Sequence, residues 1–157
     1  MALAWIGGSR FPRVKDRSFS PKLYKPIQDE FTVVSAQYDL GNPFLQKDRE
    51  EAGIPKIDDT SSGEDLHDQA ALFLAVDAVV TVQQTAVHVA GAVGAPCYAL
   101  IGEKPHWRYG IEGDSLPFYS SVKLYRKKGE WSEVVQRVLE DLRANHGRIQ
   151  RAEQATA

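Results

Sequence analysis

Three loops hold the residues whose types and spacing could do chemistry. The first is Gln83-Gln84-Thr85, leading into Ala86-Val87-His88-Val89-Ala90-Gly91. It reads as a strand feeding straight into a helix. The first turn of a helix carries unpaired N–H groups and the positive end of the dipole, so it favours an anion. Thr85 is a candidate cap, and His88 sits three residues further on, within reach of a phosphate or a sugar hydroxyl. The plainer reading keeps Thr85 as a cap only and His88 as a packed residue. The second loop begins at Gly7-Gly8, where the backbone can approach a ligand closely. Ser9 follows, and Arg10, Lys15 and Arg17 add three cations. Alone it is a solvated basic loop; beside the helix mouth it completes a phosphate clamp. The third is Pro105-His106-Trp107-Arg108-Tyr109-Gly110. Trp107 and Arg108 suit stacking on a base or covering a sugar, and the plainer alternative is a loop anchored by a buried tryptophan.

Other chemistries find little support. No GxxxxGK[ST] phosphate loop occurs, and Gly91-Ala92-Val93-Gly94 lies within a helix and its end. The dinucleotide fingerprint is therefore missing after the first strand, which disfavours a nicotinamide-binding domain. His67, His88, His106 and His146 lack metal-binding spacing, and one cysteine cannot build a zinc site, so no metal or other cofactor is expected. No GxSxG elbow is present. Asp58, Asp59, Glu64, Asp65 and Asp68 cluster at a turn and helix start, where the dipole favours them as solvated acids. Cys97 lies in an apolar strand and reads as inert core.

The elements that position these loops alternate along the chain. Apolar or β-branched runs predict strands at 2–6, 31–37, 54–57, 78–82, 97–101 and 122–126. Helical spacing predicts helices at 21–28, 44–52, 64–76, 86–93 and 131–145, the last with apolar residues at 131, 134, 135, 138, 139 and 142. Such alternation gives an α/β fold: one Rossmann-like, doubly wound parallel sheet of about six strands with helices on both faces. Ligands of such sheets bind beyond the carboxyl ends of the strands, where all three loops fall. Residues 1–145 form that domain, and 146–157 read as a polar, frayed tail.

Length and composition agree. The chain has 157 residues, 43% hydrophobic and 25% charged, enough for one folded domain with a real core. Net charge is −2, so no nucleic-acid partner is expected. The stretch 70–82 is too short and too interrupted to span a bilayer, and residues 2–6 do not read as a signal peptide. A single cysteine points to no oxidising compartment, and the expected location is cytoplasmic.

The segment LAVDAVVTVQQTAVHVAGAVG at 74–94 resembles the nucleotide-sugar site of heptosyltransferase-like glycosyltransferases, in the version found behind tetratricopeptide repeats in bacteria. Matching pieces continue through Pro96-Cys97-Tyr98-Ala99-Leu100, His106-Trp107-Arg108-Tyr109, Ser115-Leu116-Pro117-Phe118-Tyr119, Leu124-Tyr125-Arg126 and Gly129-Glu130-Trp131. Upstream, Ala4-Trp5-Ile6-Gly7-Gly8, Asp16-Arg17-Ser18 and Val34-Ser35-Ala36-Gln37 are similar to the family's pieces in the same order. The resemblance implies one half of a GT-B architecture, the C-terminal domain that binds a nucleoside-diphosphate sugar without a metal. It implies that Gly8, Ser9 and Lys15 or Arg17 approach the diphosphate and that the Gln84 and Thr85 amides cradle phosphate. His88 matches the family histidine, and Gln37 would line the cleft. Two departures stand out: Gln83 replaces the aspartate that opens the family's DTAVAH motif, and His106 replaces another aspartate. A hydroxyl contact survives the first change; a role that needs a carboxylate does not.

The family's general base usually belongs to the N-terminal domain, so no catalytic residue is assigned. The implied function is donor binding for sugar transfer to an acceptor, with an N-terminal GT-B domain or tetratricopeptide repeats as partners in a longer chain; a homodimer stays open. The alternative is a degenerate, non-catalytic domain that serves binding or assembly.

Overall fold

The computed structural model describes residues 1–8, 14–38, 41–57 and 65–147. Six strands form one sheet in the order β2-β1-β3-β4-β6-β5. They are β1 (Ala2–Ala4), β2 (Val34–Ser35), β3 (Val79–Val82), β4 (Cys97–Ile101), β5 (Ser115–Leu116) and β6 (Tyr119–Arg126). All neighbours pair in parallel except β5 with β6. The helices are α1 (Lys25–Gln28), α2 (Pro43–Glu51), α3 (Leu66–Ala75), α4 (Thr85–Ala92) and α5 (Trp131–His146).

Alternation along the buried strands builds two cores. Leu3, Trp5, Val80, Val82, Tyr98 and Leu100 face Tyr24, Ile27 and the apolar stripe of α5. Ala2, Ala4, Val79, Cys97, Ala99 and Ile101 face Leu72, Phe73, Ala86, Val87 and Ala90 from α3 and α4. Ala2, Ala4 and Ala99 on the second face are small, which lets α4 sit close to the strands. Helices therefore cover both faces, as expected of a doubly wound sheet. β1 lies between β2 and β3, so the chain leaves β1 in one direction and returns on its other side. The crevice beyond the carboxyl ends of β1 and β3 is the topological switch point, where such sheets take ligands.

Several expected boundaries shift, each for a physical reason. Residues 54–57 are not a strand. Ile54 is buried and the Pro55 carbonyl accepts from Ser35 N at 2.7 Å, but proline has no N–H to extend a ladder. The strands expected at 2–6 and 31–37 pair only over Ala2–Ala4 and Val34–Ser35, because a side chain takes over the next two amides of β1. The helix expected at 21–28 splits into a 3₁₀ turn, Pro21–Tyr24, and α1, with Pro26 tolerated in the first turn; Ser20 makes no side-chain cap. β5 is a two-residue edge strand inside what reads as loop. α5 runs one residue past the expected domain end and stops at Gly147, whose φ of 65° suits glycine. Residues 58–63 and 148–157 of the expected turn and tail lie outside the described residues.

Candidate functional site

Two glycines seat the basic loop on the strand ends. A Cβ at Gly7 would lie 2.7 Å from the Arg17 side chain, and one at Gly102, just past β4, would lie 2.2 Å from the Asp16 carbonyl oxygen. The 3₁₀ turn Lys15–Arg17 thus rests on the carboxyl ends of β1 and β4. Arg17 crosses Gly7, and its Nη2 donates to the Gly8 carbonyl at 3.1 Å. Gly7 N donates to Ser18 Oγ at 3.1 Å, which closes the turn. A Cβ at Gly8 would meet nothing within 4 Å, so the backbone there is open to approach. Lys15 is exposed. Ser9 and Arg10 lie outside the described residues.

α4 starts one residue earlier than expected, which changes the role of Thr85. The capping position belongs to Gln84, in extended conformation, and no side chain caps the helix. Thr85 is the first helical residue and is exposed. The Gln84 amide turns back instead, its Nε2 donating to Thr81 Oγ1 at 3.0 Å. Val87 N is already paired, to the Gln84 carbonyl at 3.2 Å. The amides ahead of it keep the partial positive charge that attracts an anion. Gln83 is 3% exposed, and its Oε1 has no partner among the described residues. Such an orphaned oxygen costs about 1–3 kcal/mol until a donor meets it.

His88 lies one turn into α4 with its ring half-buried. The Tyr109 ring is 5.8 Å away and the Tyr119 ring 5.9 Å away, centroid to centroid. The Tyr109 hydroxyl is 3.4 Å from His88 Nε2. Burial, then the charges of Arg108 and His106, hold the imidazole pKa below its ordinary value. Gly91, on the same face of α4, makes room for Tyr119: a Cβ there would lie 2.3 Å from that ring. Gly91→Ala should therefore push Tyr119 off His88 and destabilise the domain by about 1–3 kcal/mol, read by urea denaturation. A variant as stable as the parent would show that the ring yields at no cost.

The loop after β4 is anchored by tyrosine, not tryptophan. Tyr109 is 5% exposed, whereas Trp107 is 73% exposed. Arg108 stacks on Trp107, with Cζ 5.0 Å from the ring centroid, and His106 flanks the same ring at 5.6 Å. Arg126, the last residue of β6, ties the loop down. Its Nε donates to the Gly113 carbonyl at 2.6 Å and its Nη1 to that of Gly110 at 3.1 Å. Its Nη2 donates to the carbonyls of Tyr109 at 2.6 Å and Glu112 at 2.8 Å.

Gln37 is 4% exposed and its amide is fully committed. Oε1 accepts from both Trp5 N and Ile6 N at 2.9 Å, and Nε2 donates to the Tyr38 carbonyl at 3.0 Å. The resemblance implies that Gln37 lines the cleft; in the structure its side-chain amide holds the end of β1.

No family model matches the chain. It is 34% identical over 136 residues to protein FlbA of Caulobacter vibrioides, an alignment spanning 81% of this chain and 22% of FlbA. Its structure is similar to that of the E. coli ADP-heptose lipopolysaccharide heptosyltransferase II, with a TM-score of 0.51 and 22% identity, over 91% of this chain and 45% of that one. The chain has a GT-B glycosyltransferase-like fold. It spans about a fifth of one relative and less than half of the other.

Within that GT-B-like sheet, most of the residues singled out from sequence gather at one end. The positive charge of Arg17 reaches both His106, whose pKa burial, Arg108 and Arg17 together lower, and Tyr109, where it only partly offsets the rise that burial causes; Arg108 likewise reaches His88. Gly7, Arg17, Gln84, Thr85, His88, Trp107 and Arg108 thus share the carboxyl edge of β1, β3 and β4. Arg126, Tyr109 and Tyr119 support the site without having been marked as site residues. An arginine ending a strand carries no sequence signal of which carbonyls it will meet. Cys97 is buried, and burial pushes its thiol up to about 12, so it is unreactive. Among the described residues no cluster of His, Cys, Asp and Glu could hold a metal, and no helix is long and apolar enough to cross a membrane.

Proposed function

We propose that this chain is the donor-binding part of a glycosyltransferase and takes a nucleoside-diphosphate sugar as substrate. The observation that carries this reading is the uncapped start of α4 at the switch point, with Arg17, Arg108 and His88 around it. Helix amides and guanidinium groups neutralise a diphosphate without a metal. Exposed Trp107 offers a ring face to a base, and Gln83 offers an amide to a sugar hydroxyl. Transfer to an acceptor falls to this chain paired with an N-terminal domain, since the heptosyltransferase it resembles is about twice as long. Tetratricopeptide repeats in a longer chain, and a cytoplasmic setting, belong to the same proposal.

Titration with ADP-, UDP- and GDP-sugars tests it. At least one should raise the melting temperature and shift resonances of the α4 amides. Arg17→Ala should weaken that binding about tenfold or more, and His88→Ala about three- to tenfold. No response to any donor at millimolar concentration sinks the reading.

Gln83 favours a second reading, a non-catalytic domain kept for binding or assembly. A neutral amide stands where the resembling family has a carboxylate. Turnover of a nucleotide sugar by this chain alone would defeat it; a stable oligomer with no hydrolysis would support it.

A further inference from the structure

Tyr109 is packed as a core ring, yet it carries a hydroxyl that phenylalanine would lack. That hydroxyl lies 3.4 Å from Nε2 of His88, and no other acceptor among the described residues meets it. Tyr119 also meets the imidazole, edge-on at an interplanar angle of 65°. His88 is therefore boxed by two rings, one of which also reaches its nitrogen. Side chains on a helix lean toward its amino end, and His88 is the fourth residue of α4. Its Cα–Cβ bond thus tilts toward the uncapped turn.

A neutral imidazole has one N–H and one lone pair, and its partners decide which nitrogen holds which. Burial, then Arg108 and His106, lower the His88 pKa below its ordinary value, which favours the neutral ring. Burial pushes the Tyr109 phenol well up, so it keeps its proton. Were Nε2 to carry the hydrogen, the phenol O–H would be left buried without an acceptor.

We infer that Tyr109 is a positioning residue: its O–H donates to Nε2 of His88, which leaves Nδ1–H as the only donor of that ring. His88 then serves an acceptor oxygen of the ligand as a neutral donor. It is neither a cation nor a base acting through Nε2. The consequence for ligand binding rests on the donor-site reading above; the tautomer does not.

Side-chain ¹⁵N NMR of the full chain, above the ordinary imidazole titration range, decides it. Without ligand, His88 should show a protonated Nδ1 and a bare Nε2. Tyr109→Phe keeps the ring and should shift the tautomer ratio toward Nε2–H by about fivefold. Affinity for ADP, UDP or GDP, whichever binds the parent, should fall about three- to tenfold. A parent spectrum with Nε2–H overturns the inference without any variant. So does an unchanged ratio in Tyr109→Phe. A correct tautomer with no nucleotide binding upholds the role of Tyr109 and removes the donor-site reading instead.

Discussion

Replacing Gln37 by leucine should lower the stability of the domain by about 2–4 kcal/mol, because it strips the acceptor from two β1 amides at once. Trp5 N and Ile6 N both donate to Gln37 Oε1 at 2.9 Å. Trp5 is fully buried, so its amide cannot turn to water. Leaving a buried donor unsatisfied costs about 1–3 kcal/mol, more than the net gain from forming an ordinary hydrogen bond. Ile6 is only partly buried, so its amide pays less. Leucine is similar in size and apolar, so packing does not offset the loss. For a domain of this length the melting temperature should drop by roughly 5–12 °C.

The substitution also separates two roles for Gln37. A residue that only lined the cleft would lose ligand affinity on mutation and leave the melting temperature unchanged. A residue that holds β1 should lose stability in the absence of any ligand. Because Gly7 and Gly8 follow Ile6 directly, donor affinity should fall as well, but as a consequence. Urea denaturation without nucleotide gives the answer. A ligand-free midpoint equal to that of the parent would return Gln37 to the cleft.

The same residue shows where a sequence stops being readable. The helical spacing at 131, 134, 135, 138, 139 and 142 states its own geometry, and all six positions are buried in α5. The small residues of the α4 segment likewise announce a helix pressed against a sheet, and they meet Ala4, Ala99 and their neighbours. These signals are local and periodic. Gln37 instead reaches residues more than thirty positions earlier, and nothing around it in sequence marks that contact. Its effect is visible only as strands that stop pairing earlier than their composition suggests. β5 escaped for a related reason, since two residues cannot show an alternation. Thr85 and Gln84 differ as caps by one position, and the hydroxyl was the more obvious acceptor. The gathering of Gly7, Arg17, His88 and Arg108 was legible because topology does that work. A doubly wound sheet brings its carboxyl-end loops together whatever their detail.

The least legible residue is also the one whose loss should disturb the site most. Arg126→Ala should free the segment that carries Trp107, Arg108 and Tyr109 and weaken donor binding more than tenfold. One guanidinium satisfies the carbonyls of Tyr109, Gly110, Glu112 and Gly113, using Nε, Nη1 and Nη2. Bonds from a charged donor contribute about 1.5–3 kcal/mol each when well formed, and several of them share one rigid plane. Arg126 is only partly buried, and water can meet some of the released carbonyls, so the total cost to stability should be about 2–4 kcal/mol. The damage should stay local. β6 pairs with β4 along its length, and its backbone does not depend on the arginine side chain. Amide exchange should therefore rise across 107–113 and remain unchanged in β3 and β4. Trp107 is stacked under Arg108, so its fluorescence should report the same release. Arg126→Lys is the sharper control. It keeps the charge but replaces the planar fork by a single ammonium, which cannot reach four carbonyls at once. Lysine should behave much like alanine in exchange and in affinity. If lysine instead restored both, attraction between the charge and the loop would suffice, and the guanidinium clamp would not be what holds Tyr109 against His88.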